Sequence, residues 1–297
     1  MSTMLSTVPF QDSRDLIEQP DALQERARRD GYLFFPRLVE PTEVLQVRHD
    51  VLQIARTHGF LDQDAPLEDG IAREGFVQIE SSTPQWKAFY VDVLRNRAFH
   101  ALAQAPLLLR ALEVLFAEPV LAHSRNICRA IFPNATQYTT PPHQDHIHIG
   151  GTTETWSAWI PLGDCPEPLG GLAILPGSHA QGLLPARAAY GAGGLGIDVP
   201  DDARWATGEL ACGDALLFHS LTVHQGRDNT TPDRIRLSAD FRYQPRSHRV
   251  RADSLQPHQN WITWDEIYAG WPEADPLRYY WKDWDLDVVR REDDLKK

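Results

Sequence analysis

The sequence predicts a mainly β core with flanking helices: a sandwich or barrel preceded by a helical N-terminal region. Three observations carry this. Before Glu118-Pro119, apolar residues recur mostly at helical spacing. After it, the chain breaks into short β-type runs. Loops rich in Gly, Pro and Asp separate those runs, notably 163–171 and 191–203, with no helical pattern between them, which points away from βαβ units.

The elements follow in order. EQPDALQERARR (19–30) reads as a short amphipathic helix with Ala22, Leu23 and Ala27 on one face. GYLFFPRLV (31–39) is an apolar, aromatic run of strand character that ends at Glu40-Pro41. From Thr42 the pattern is helical again. Val44, Leu45, Val47, Val51, Leu52 and Ile54 form its apolar stripe, and Gly59 supplies a C-terminal cap. A third helical region covers 84–117. Beyond it VLAHSRNICRAIF, TETWSAWIPL, LAILPGS, DALLFHSLTVH and RIRLSADFRYQ read as strands. AYGAGGLG (189–196) is a loop and no phosphate cradle, since it lacks GxGxxG and no helix clearly follows. Trp261, Trp264, Trp271, Trp281 and Trp284 are irregularly spaced and read as packing against the barrel. The organisation expected is a single domain over 1–297: helical support to 120, a β core over 121–245, and an aromatic extension over 246–297.

Composition narrows the function classes. A net charge of -12 argues against a nucleic-acid or anionic-membrane partner, which would need basic surface. No apolar run reads as long enough to span a bilayer, and MSTMLSTVPFQDSRD lacks the basic start and apolar core of a signal peptide. REDDLKK carries no address motif, so a cytoplasmic location is expected. Cys128, Cys165 and Cys212 are odd in number and widely spaced; they read as reduced, small hydrophobes.

The chemistry concentrates in HQDHIHIGG (143–151). Taken as an extended strand, it points His143 and Asp145 one way and His146 and His148 the other. A third ligand must then come from elsewhere, and His224 in LLFHSLTVHQG sits where a strand meets a loop. Two imidazoles and one carboxylate leave coordination positions open for a cosubstrate and O2, the pattern of a non-haem Fe(II) site. Ten residues on, RIRLSADFRY brings Arg234 and Arg236 close behind His224. An arginine near iron suits a clamp on a dicarboxylate, and iron with such a clamp points to 2-oxoglutarate.

PPHQDH, SAWIPL, GGLAILPGSH, GDALLFHSLTVHQG and RLSADFRYQ, in that order, resemble the phytanoyl-CoA dioxygenase family of Fe(II)/2-oxoglutarate oxygenases. The likeness is close over about a hundred residues and looser over the N-terminal helix–GYLFFPRLV–helix arrangement. It implies a double-stranded β-helix, a cupin-like jelly roll, with helices outside. His143, Asp145 and His224 match the family's iron ligands. Arg234 and Arg236 are both eligible as the cosubstrate arginine, and the RLS pattern at 236–238 favours Arg236. Both are expected on one side of their strand. Gln137, Trp159 and Ser238 are further cosubstrate-pocket candidates by position. The glycines of GGL and PGSH serve backbone geometry, and His179 is no ligand.

What the resemblance implies is a hydroxylase of small molecules that consumes Fe(II), 2-oxoglutarate and O2 and releases succinate and CO2. No basic cluster is assignable to coenzyme A phosphates, which puts an acyl-CoA substrate in doubt. Segments 59–90 and 183–206 are expected to shape the substrate pocket. Asp145 is intact, which favours hydroxylation over halogenation. Two rivals differ in class. A zinc hydrolase of the HxHxDH type does not fit the order HxDHxH. A non-catalytic jelly-roll binding protein would be expected to have lost a ligand or the arginine.

Overall fold

The computed structural model describes residues 6–291. The termini on which the address-signal reading partly rests, 1–5 and 292–297, lie outside the described residues. The strands are β1 (Ser6–Val8), β2 (Tyr32–Phe35), β3 (Val120–Ala122), β4 (Ile127–Ile131), β5 (Trp156–Pro161), β6 (Leu172–Ile174), β7 (Arg187–Ala188), β8 (Leu195–Gly196), β9 (Arg204–Ala206), β10 (Ala215–His219), β11 (His224–Gly226), β12 (Arg236–Pro245), β13 (Val250–Arg251) and β14 (Val288–Val289). The α-helices are α1 (Pro20–Asp30), α2 (Pro41–Thr57), α3 (Pro84–Arg95), α4 (Arg97–Leu102), α5 (Pro106–Phe116), α6 (His146–Ile149) and α7 (Trp264–Tyr268).

Proline and glycine set several helix ends. Pro20, Pro41, Pro84 and Pro106 each occupy a first-turn position, where the missing N–H costs nothing. Gly31, at φ 70°, closes α1 by donating its N–H to Ala27. Helix α2 buries Val44, Val47, Val51, Leu52 and Ala55, spaced as one face. Leu45, expected on that face, is 46% exposed. The region 84–117 is three helices, because Asn96 caps a new start and Pro106 forces another. Segment 97–116 does have the length and composition of a membrane span, contrary to the sequence reading, but it is half-buried and divided between α4 and α5.

The larger sheet runs β2-β10-β5-β12-β3, with β4 also paired to β12; the smaller runs β1-β9-β6-β11. Every residue of β12 is buried, so both its faces are covered. Leu237, Ala239, Phe241 and Tyr243 join the main core with Leu52, Phe89, Phe99 and Leu112 of the helices. The other face carries Arg236, Ser238, Asp240, Arg242 and Gln244. A smaller apolar cluster, including Trp159, Leu172, Ile174, Leu216 and Phe218, joins strands of the two sheets. Polar residues on β12 are thus buried at the site rather than solvated.

The C-terminal aromatics pack on the helices as well as on the sheet. Trp271 donates its indole N–H to the Arg95 carbonyl, and Tyr280 donates its hydroxyl to Ala122 of β3. Residues 189–194 are the turn of a small hairpin formed by β7 and β8, and Leu195 and Gly196, expected in the loop, are β8 itself. All three cysteines are free thiols.

Candidate metal centre

His224 begins β11, and an antiparallel bridge ties it to His143: the backbone N–H of His143 donates to the His224 carbonyl at 2.9 Å, and the reverse bond is 3.0 Å. The chain then leaves the extended form. Asp145 is already in the right-handed helical region and caps the single turn α6. The expectation that HQDHIHIGG is one strand is therefore corrected. His146 and His148 belong to that helical turn, and the His148 ring lies 6.3 Å from that of His143. Gly150, at φ 62°, ends the turn.

His143, Asp145 and His224 are all buried, and one ligand atom from each lies within 4.8 Å of the others. His143 Nε2 stands 3.6 Å and His224 Nε2 3.9 Å from the same carboxylate oxygen, Oδ1 of Asp145. The opposite ring nitrogens face carbonyl oxygens: His143 Nδ1 donates to Pro141 at 2.9 Å and His224 Nδ1 to Thr222 at 3.0 Å. A carbonyl only accepts, so each imidazole keeps its proton on Nδ1 and turns the Nε2 lone pair inward. Burial and the facing His143 push His224 down to about 3, which keeps it neutral. Oδ2 of Asp145 accepts from Ser157 Oγ and lies 3.5 Å from Nη2 of Arg242. Burial alone would raise the Asp145 carboxyl; Arg242 and the two imidazoles outweigh it and hold the group well below the usual carboxylate range. Two imidazoles and one carboxylate fit a divalent iron with positions to spare.

Arg236 is the first residue of β12 and is 4% exposed. Its Nη1 donates to Ser238 Oγ at 2.8 Å, and its guanidinium lies over the Trp159 ring at 5.8 Å. Arg236 and Trp159 line the same cavity as the triad, together with Arg129, Thr140 and Asp240. Among the described residues, Arg236 Nε and Trp159 Nε1 are buried donors with no acceptor. Two unpaired donors flanking a metal triad fit a carboxylate-bearing cosubstrate.

Arg234 stands elsewhere. It precedes the strand, is exposed, and lines a different cleft with Arg48, Glu68 and Asp164. Its backbone bridges to Ile71 before β12 begins. The expectation that both arginines share one side of a strand fails because the strand starts only at Arg236. Gln137 lies on a short turn, Thr136–Tyr138, and is not among the residues lining the triad cavity; Thr140 is. His179 is not among the residues lining the triad cavity, and its Nε2 faces the Arg28 carbonyl.

Sequence reasoning missed Arg129, Ser157, Asp240 and Arg242. A period-2 reading of RLSADFR from Arg236 would have put Ser238, Asp240 and Arg242 on its face.

A family model described as Phytanoyl-CoA dioxygenase (PhyH) matches residues 27–238. The chain belongs to the phytanoyl-CoA dioxygenase family. Family membership makes it an enzyme of the iron- and 2-oxoglutarate-dependent oxygenase class. Among its relatives is a 1-deoxypentalenic acid 11-beta-hydroxylase of Streptomyces arenae, 26% identical over 263 residues, covering 84% of this chain and 89% of the relative. The Streptomyces exfoliatus enzyme of the same name is 24% identical over the same span. A solved structure, the epimerase SnoN with Fe3+, alpha ketoglutarate and nogalamycin RO, superimposes with a TM-score of 0.55 at 22% identity, over 78% of this chain and 86% of that one. At that identity the likeness shows the shared fold: the jelly roll with flanking helices expected from the sequence.

Proposed function

We propose that this member of the phytanoyl-CoA dioxygenase family hydroxylates a C–H bond of a small molecule, using Fe(II), 2-oxoglutarate and O2 and releasing succinate and CO2. The observation that carries the reading is one cavity holding the buried His143–Asp145–His224 triad and, facing it, the unsatisfied donors of Arg236 and Trp159. Bound iron supplies the redox chemistry that couples oxidative decarboxylation of 2-oxoglutarate to oxidation of the substrate. The chain supplies position and charge. His143 and His224 present Nε2, and Asp145 presents Oδ1. Arg236, steadied by Ser238, holds the far carboxylate of 2-oxoglutarate, while Trp159 closes the pocket and offers its indole N–H.

Neither of the two segments expected to shape the substrate pocket lines the triad cavity, but each bonds to the stretch of chain that leads into His143. The β7–β8 hairpin is tied there by the Ala192 N–H to the Thr139 carbonyl, and just beyond it the Ile197 N–H donates to the Pro142 carbonyl. From 59–90, Gln78 accepts from the Phe132 N–H, and the Tyr138 hydroxyl donates to the Gln78 carbonyl. The names of the two Streptomyces relatives support a small-molecule substrate.

The test is succinate release from 2-oxoglutarate with Fe(II) and a substrate panel, in the native protein and in Asp145→Ala. Succinate should form only with metal, cosubstrate and O2 together, and labelled O2 should place its oxygen in the product. Equal turnover in Asp145→Ala would overturn the reading.

A further inference from the structure

The triad cavity contains a second arginine that the oxygenase chemistry does not use. Arg129 lies on β4, where its register partner on β12 is Ser238, two residues beyond Arg236. Its side chain is 30% exposed, against 4% for the residue Arg236, and it lines the cavity beside His143 and Asp145. Nε of Arg129 donates to Oδ2 of Asp240 at 2.5 Å, which fixes the plane of the guanidinium. Among the described residues, that is its one hydrogen bond, so Nη1 and Nη2 point their protons at no protein acceptor. An arginine clamped at Nε with both terminal nitrogens free presents the fork that pairs with a planar anion.

Charge around the triad points the same way. Arg129, Arg236 and Arg242 face Asp145 and Asp240. The charges of Fe(II) and 2-oxoglutarate cancel, so loading the site leaves one positive charge uncompensated. A substrate with a single negative charge balances the cavity.

We propose that Arg129 anchors a carboxylate of the substrate through Nη1 and Nη2, so that the enzyme acts on a monocarboxylic acid. The proposal rests on the oxygenase reading above and adds the substrate class. Arg236 serves the cosubstrate, deep in the barrel, and Arg129 serves the substrate, at the more open side. Asp240 positions Arg129 by accepting from its Nε at Oδ2.

The experiment is an anaerobic titration of the protein loaded with Fe(II) and 2-oxoglutarate, read by the visible absorption of that complex. The probes are aliphatic, alicyclic and aromatic monocarboxylic acids, each beside its methyl ester and the phosphate monoester of the corresponding alcohol. The best acid should bind about ten-fold or more tighter than its ester, the worth of one charge-assisted bidentate pair. Arg129→Gln should erase that preference while 2-oxoglutarate affinity stays within about two-fold. Arg129→Lys, which keeps the charge and loses the fork, should retain part of it. Acids and esters binding alike, phosphates preferred over acids, or Arg129→Gln weakening 2-oxoglutarate as much as the acid would each overturn the assignment. Failure of 2-oxoglutarate to load at all would instead overturn the oxygenase reading beneath it.

Discussion

Ser157 donates a hydrogen bond to Oδ2 of Asp145, while Oδ1 of the same carboxylate faces Nε2 of both triad imidazoles. The division assigns the two oxygens different work: Oδ1 offers itself to metal, and Oδ2 is held by the protein. Removing the hydroxyl frees the carboxylate to rotate. Ser157→Ala should weaken Fe(II) binding by about 10-fold or more, the usual cost of losing a partner behind a ligand. Competition against a fluorescent chelator measures it. An unchanged affinity would mean that Ser157 only fills space.

Arg242 bears on the same oxygen by charge. Arg242→Met leaves Asp145 buried without its cationic neighbour, so both metal affinity and stability should fall, whereas Ser157→Ala should spare stability. Thermal melts of metal-free protein, run beside the chelator assay, separate the two effects.

Gly170 sits at φ 79°, and a Cβ there would meet the carbonyl oxygens of Arg227 and Asp228 at 2.5 and 2.6 Å. Those residues follow β11 directly, so the close approach sets where the strand bearing His224 ends. Gly170→Ala should cost about 2 kcal/mol or more, a Tm loss of about 4 °C or more for a chain of this size. A melting temperature within one degree of the native protein would contradict this.

Two buried histidines outside the triad make stability depend on pH. His100 donates Nε2–H to the Leu94 carbonyl and accepts from Asn126 at Nδ1; His123 donates to Gln244 Oε1. Burial pushes each from 6.5 down to about 4. Between those values the unfolded chain binds protons that the folded chain refuses, so unfolding takes up protons and stability falls as pH falls. Urea unfolding should show a lower midpoint at pH 5 than at pH 7.5, with a shallower pH slope in His100→Gln. Equal slopes would show that His100 does not contribute.

Legibility in the sequence varied with physical cause. The triad was readable because a bridge at His143 followed by one helical turn brings residue i and residue i+2 to the same cavity, as a strand would. The pair the structure brings together thus coincides with the expected one although the local geometry differs. Arg234 was misplaced because the start of β12 depends on the backbone bridge to Ile71, a long-range contact that no local pattern encodes. Arg129, Asp240 and Arg242 were passed over because polar residues alternating with apolar ones look like a solvated strand face. Here both faces are buried, one under helices and one inside the jelly roll. The helices were legible from their apolar stripes, apart from exposed Ala22 and Leu45 and the breaks within 84–117.

Anaerobic titration of 2-oxoglutarate into the Fe(II)-loaded protein tests the pairing of triad and Arg236 most directly, with Arg236→Met and Arg234→Met beside the native chain. The native protein should bind, Arg236→Met should lose about 100-fold through its missing charge-assisted pair, and Arg234→Met should stay within about two-fold. No binding by the native protein, or the loss falling on Arg234→Met instead, would contradict the assignment.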